Sequence, residues 1–153
     1  MLRGLRFFVS GMGLAAFTLA GASVAAAQEP AAAPAAQAPV MALDGDAAVV
    51  TLLIKGDKTA DFESVIAKYK EALAKSDNPK RKEQLAGMKF FKSPTAVQGN
   101  AMYIISVDPV LKGEEYDITR IVTEVFPVEV QEVYAKYKDS FAGRQIISLN
   151  KIP

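Results

Sequence analysis

"GMKFFKSPTAVQGNAMYIISVDP", residues 87–109, holds two apolar runs joined by a loop that carries Pro94, Gly99 and Asn100. The second run, Ala101–Val107, is apolar on both faces of any strand it can form, because alternate residues point to opposite sides of a sheet. A strand of that kind must be covered twice. What covers the two faces decides the architecture.

The run "AAVVTLLIK" (47–55) has the same character and ends at Gly56-Asp57, so it too reads as a buried strand. Thr59 is placed to cap a following helix, with Asp61 and Glu63 in its first turn. Phe62, Val65, Ile66, Tyr69, Ala72 and Leu73 recur at helical spacing and form one apolar stripe. Pro79 stops that helix near Ser76-Asp77-Asn78. "PKRKEQLAG" allows one further short turn before the strand "MKFFKS" (88–93).

Beyond the strand at 101–107, closed by Asp108-Pro109, a helical region is predicted from about Asp117 to Ser140. Its stripe is Ile118, Ile121, Val122, Val125, Val130, Val133, Tyr134, Tyr137 and Phe141. Pro127 lies inside it and predicts a kink or two consecutive helices. Gly143 is expected to end the region, leaving "RQIISLNKI" (144–152) as the last strand.

The resulting α+β order is β-α-β-β-α-β, the split βαβ of a ferredoxin-like fold: a four-stranded antiparallel sheet with helices on one face. Its strand order, 4-1-3-2, makes strands one and three central, and those are the continuously apolar ones. Strand two carries Lys89 and Lys92, and strand four carries Gln145, Ser148, Asn150 and Lys151, as edges should. Helices on one face leave the other bare. With both faces of the central strands apolar, the bare side predicts a patch larger than a monomer tolerates, and a second copy stacked sheet to sheet is the simplest cover. Thr51, Leu53, Tyr103, Ile105 and Val107 are the residues assigned to this interface or to a pocket.

Ahead of the domain (46–153), residues 1–27 read as a signal peptide. Arg3 and Arg6 precede an apolar stretch from Phe7 to about Ala22, and Ala25 and Ala27 occupy the −3 and −1 positions of a cleavage site. The competing reading, an uncleaved anchor, is disfavoured by the shortness of that stretch. Cleavage implies export to the periplasm or beyond, with no stable membrane anchor. Residues 28–45, "QEPAAAPAAQAPVMALDG", read as an Ala/Pro-rich disordered spacer or tail.

The chain has 18 Lys+Arg and 17 Asp+Glu; the leader holds two arginines and no acid, so the mature chain carries 16 against 17. Near-neutrality argues against nucleic acid as a partner. Lys80, Arg81, Lys82, Lys89 and Lys92 beside Phe90 and Phe91 form the one basic cluster, read as a solvated face rather than a nucleic-acid reader. With no cysteine and no histidine there are no disulfides, no Ser-His or Cys-His nucleophiles, no common zinc site and no usual haem ligand apart from tyrosine. No cofactor and no metal are expected. Glu114, Glu115 and Asp117, the closest acids, are read as serving a helix N-terminus rather than a metal.

The order of elements, the size and the break at Pro127 resemble the dimeric α/β-barrel superfamily, in which two ferredoxin-like subunits stack their sheets. The likeness spans about residues 47–152 and rests on topology rather than a signature motif. "KTADFESVIAKYKEALAKS" and "VFPVEVQEVYAKYKDSFAG" also look like segments of small exported bacterial proteins without an assigned function. The resemblance implies a homodimer. Its cofactor-independent monooxygenases imply a pocket with a few polar groups, for which Tyr103, Asn100 and Asp108 are the weak catalytic candidates. Two readings follow: a non-enzymatic exported homodimer binding a small apolar ligand or an envelope protein, and a cofactor-independent enzyme acting on a small apolar substrate. The first is preferred, on the apolar sheet face, the spacer and the missing catalytic residue types.

Overall fold

A computed structural model describes residues 38–153. The predicted signal peptide and most of the predicted spacer lie outside the described residues. Ala47–Lys55 forms β1, and its side chains alternate between half-buried and buried from Ala47 to Ile54. Asn100–Val107 forms β3, with the same alternation from Met102 to Val107. The edge strands are Met88–Lys92 (β2) and Phe141–Leu149 (β4). All pairs are antiparallel and the order is β2-β3-β1-β4, which puts the two most apolar strands in the middle.

Four helices join the strands: Thr59–Lys75 (α1), Pro79–Gly87 (α2), Ile118–Val125 (α3) and Val130–Ser140 (α4). The stripe of α1 is buried as its spacing predicts, with Phe62, Val65, Tyr69, Ala72 and Leu73 all at most 1% exposed. Removing a side chain of the Phe, Val or Leu kind from water contributes about 1.5–3 kcal/mol each, so this stripe is a main source of cohesion. Beneath it lie Ala48, Val50, Leu52 and Ile54 of β1 with Tyr103, Ile105 and Val107 of β3. None of the described helices is long and apolar enough to cross a membrane.

Several local expectations are corrected. Thr59 is the first residue inside α1 rather than its cap; Lys58 holds the cap position and offers no side-chain acceptor. The single turn expected after Pro79 is a nine-residue helix, started by Asn78, whose Oδ1 accepts the Lys80 amide, and by Pro79 at the first position. Around Pro127 the helical region divides into α3 and α4. Gly143 does not end that region. Ser140 is its last residue, and Phe141 and Gly143 already belong to β4. The pairing of β4 with β1 jumps from Leu53–Gly143 to Ile54–Phe141, a bulge at Ala142 that sends Phe141 towards the core.

The presumed spacer also ends earlier than expected. Leu43 is buried and Met41 packs against the core, so residues 41–45 belong to the domain. Met41 O accepts the Tyr116 amide, and Asp46 donates its amide to Leu149 O. Gly45 permits this join: its φ is +84°, and a Cβ there would sit 2.6 Å from Leu149 O.

Arg81 holds the helix layer together. Read from sequence as part of a basic surface, it is buried, and its guanidinium grips Glu124 of α3 through two bonds of 2.6 and 2.9 Å. Its Nη1 donates to Gln84 Oε1 at 2.9 Å and to the Glu115 carbonyl at 3.2 Å, with Glu114 at 3.4 Å. Gln84 Nε2 donates to the same carbonyl at 2.8 Å. A planar fork fits this arrangement where an ammonium would not. Replacing Arg81 with Met should cost about 2–3 kcal/mol in chemical denaturation, below the full penalty of a broken buried pair because Glu124 remains partly hydrated. A loss under about 0.5 kcal/mol would show that the pair only decorates the surface.

Candidate functional site

The register of β1 and β3 decides what each face can do. Thr51 pairs with Ile104 and Leu53 with Met102, so these four share a face with Val49, Ser106, Phe91 and Ile147. Leu52 pairs with Tyr103, Val50 with Ile105 and Ala48 with Val107. The five residues predicted to form one interface or pocket therefore divide. Thr51 and Leu53 lie on the open face, whereas Tyr103, Ile105 and Val107 are buried under the helices. The cause is parity: both faces of each strand are apolar, so composition does not say which side of β3 aligns with which side of β1.

None of the side chains of the open face belongs to the core cluster or packs against it. Phe91 is 52% exposed, Ile147 43% and Leu149 44%. Leu53, Met102 and Ile104, along the middle of the sheet, are half-buried. Lys89 and Gln145 give this surface a polar border.

A second feature lies on the helix side, between α1 and the β2–β3 edge. It is a cleft of about 200 Å³ lined by Phe62, Glu63, Ile66, Phe90, Phe91, Lys92, Tyr103, Ile104 and Ile105. Tyr103 is the one weak catalytic candidate that reaches it. Its hydroxyl donates to Glu63 Oε1 at 2.7 Å, and Lys92 Nζ donates to the same oxygen at 2.8 Å. The Tyr103 ring meets Phe62 edge-on at 4.8 Å, and the Lys92 ammonium sits 5.5 Å from the Tyr103 ring centre. Lys92 and then Tyr103 hold the Glu63 carboxyl below the usual range. Burial, and then the Glu63 bond, push the Tyr103 phenol up. The pair therefore stays as phenol and carboxylate at neutral pH, and Tyr103 is a donor rather than a base.

Asn100 and Asp108 do not join Tyr103. They stand at opposite ends of β3, about 26 Å apart at the usual strand rise. Asn100 donates its side-chain amide to Gln98 O, and Asp108 faces Lys151 at 3.5 Å. Of the remaining tyrosines, Tyr69, Tyr116 and Tyr137 serve packing. Tyr69 is wholly buried, donates to Tyr116 O at 3.3 Å, and has its phenol pushed far up by burial. The Tyr116 hydroxyl accepts the Leu111 amide. Tyr137 stacks near Phe62 and meets Phe141 edge-on, and Tyr134 is exposed.

The acids of residues 114–117 are each used by the fold. Asp117 caps α3 by accepting the Arg120 amide at 3.0 Å, and Glu114 faces Arg81. Among the described residues no group of three acids could hold a metal ion. Comparison with protein-family models, curated proteins and solved structures finds no match to this chain.

Glu115 fastens the N-terminal strap. Oε2 accepts the Val40 amide at 2.6 Å, and Oε1 accepts those of Met41, Tyr116 and Asp117 at 2.9, 3.0 and 2.8 Å. Burial alone would raise this carboxyl, yet the four backbone donors outweigh it and hold it below the ordinary range. A depressed carboxyl adds stability above its unfolded pKa, near 4.3, and loses it as pH falls through the folded value. Glu115→Gln should therefore lower stability at pH 7 by about 1 kcal/mol, discounted for partial exposure. The gap to wild type should narrow progressively as pH falls from the unfolded value near 4.3 through the lower folded one, when urea midpoints are compared across pH. A gap of equal size at pH 3 would mean that the carboxylate charge plays no part.

Proposed function

We propose that this chain is an exported, non-enzymatic binding module of ferredoxin-like build that works as a homodimer, its two sheets stacked through their open faces. The observation that carries this reading is the uncovered apolar face centred on Leu53, Met102 and Ile104, with Phe91, Ile147 and Leu149 around them. Apolar side chains that share one face across both central strands and both edges are the kind of grouped exposure that marks an interaction surface. A two-fold stack satisfies it with the same patch on each copy, and two twisted sheets pack about 10 Å apart through such faces.

The likeness to dimeric α/β-barrel proteins supports the same arrangement. The leader pattern at residues 1–27 supports a periplasmic or secreted location, where a domain without disulfides gains from a partner that buries its second face. A binding role is favoured over cofactor-independent catalysis because Asn100 and Asp108 stand away from Tyr103, and because Tyr103 faces a carboxylate rather than a general base of raised pKa.

Adjacent leucines of β1 test this reading. Leu52 is buried under the helices and Leu53 lies on the open face. Native mass spectrometry of wild type should give a dimer. Leu53→Asp should give a folded monomer with an unchanged circular-dichroism spectrum, the dissociation constant rising at least about 100-fold. Leu52→Asp should instead unfold the chain. A monomeric wild type, or a Leu53→Asp protein that stays dimeric, overturns the stacked arrangement.

A further inference from the structure

We infer that the cleft between α1 and the β2–β3 edge binds a neutral, single-ring molecule carrying a hydroxyl group, a simple phenol being the type. The inference rests on the cleft alone, at whose rim Phe91 and Ile104 also belong to the open face. At about 200 Å³ it is smaller than the pockets that take drug-sized ligands, and a little larger than an apolar cavity of about 150 Å³ that accepts benzene. One ring with one or two substituents fills it. Phe62, Ile66 and Phe90 supply apolar walls for that ring.

The polar end selects the substituent. Glu63 Oε1 already accepts from both Tyr103 and Lys92, while Oε2 has no hydrogen-bond partner among the described residues. Lys92 spends one N–H on Glu63 and has others to offer. Both side chains are about half exposed, 52% for Glu63 and 50% for Lys92, so they stand at the mouth where an incoming group meets them first. The two charges cancel. An anion that accepts from one of the other Lys92 N–H groups would have to lie beside the Glu63 carboxylate and be repelled by it. A cation would meet Lys92, with Lys70 close by over the Phe90 ring at 5.4 Å. A hydroxyl group satisfies both ends of the pair at once: it donates to Glu63 Oε2 and accepts from Lys92 Nζ, while its ring lies between the apolar walls.

The test is a titration of the full chain, labelled with ¹⁵N, with p-cresol, followed by amide chemical shifts. Toluene, benzoate and benzylammonium serve as comparators of matching size. Saturable shifts centred on Phe62, Phe90 and Tyr103 are expected, with a Kd of roughly 0.1–1 mM for so small a ligand and binding at least about tenfold weaker for each comparator. Glu63→Gln should weaken p-cresol about five- to tenfold and leave toluene unchanged, since it removes an acceptor charge on the exposed side of α1. Ile66→Trp should fill the cleft and abolish the shifts, with the rest of the spectrum reporting that the fold is intact. Absence of saturable shifts at these amides, equal binding of any comparator, or undiminished affinity in Glu63→Gln overturns the assignment.

Discussion

A four-stranded sheet has two faces, and this chain covers one of them with helices. That constraint orders everything else. β1 is paired on both sides along its length, and its even-numbered residues, Ala48, Val50, Leu52 and Ile54, are all buried. Their side chains set the plane onto which α1 lays its stripe, and Phe62, Tyr69 and Leu73 complete the layer. The odd-numbered residues, Val49, Thr51 and Leu53, are nearly as apolar but have no layer above them. An antiparallel sheet with one face in water is usually polar on that side, so the composition of β1 calls for a cover that the described residues do not supply.

The helix layer is fastened by charge where the apolar stripe runs out. α2 is short, and its buried residues are Arg81 and Gln84 rather than a hydrophobic pair. Both converge on the Glu115 carbonyl, and Arg81 extends to Glu124 on α3. The Glu115 side chain meanwhile collects four amides, two of them from the strap at Val40 and Met41. Residues 114–117 thus form a knot between α2, α3 and the N-terminal strap. Every buried side-chain nitrogen and oxygen among the described residues finds a partner, which removes the usual penalty for placing such groups inside.

The elements were legible because their signals are periodic and long. The continuous apolar runs marked β1 and β3, the helical stripe marked α1, and Pro127 marked the division of α3 from α4. What stayed hidden depends on contacts made across the chain. Tyr103 and Ile105 were grouped with Leu53 because each face of β3 is apolar, and only the register with β1 separates them. Arg81 sits between Lys80 and Lys82 and carries no local mark of burial; Glu124, 43 residues on, turns it inward. Phe141 continued the helical stripe by spacing, yet the bulge at Ala142 recruits it into β4. Leu43 and Met41 follow an Ala/Pro tract, and the acceptors that hold their segment come from Glu115, more than 70 residues away. Glu63 counted only as a first-turn acid, since its partners Lys92 and Tyr103 arrive from two later strands.

The two surfaces with room for a partner are of different kinds, and the difference follows from the same layering. The open face is broad and built almost wholly of side chains without charge. The cleft arises where α1 passes over the edge strand and the helix layer ends, and there the sheet presents Lys92 and Tyr103 to Glu63. A carboxylate and an ammonium held at the rim of an apolar recess keep their water on one side and lose it on the other. A small ligand that replaces that water with its own hydroxyl group gains the recess without leaving either charge unpaired, which a purely apolar ligand does not achieve.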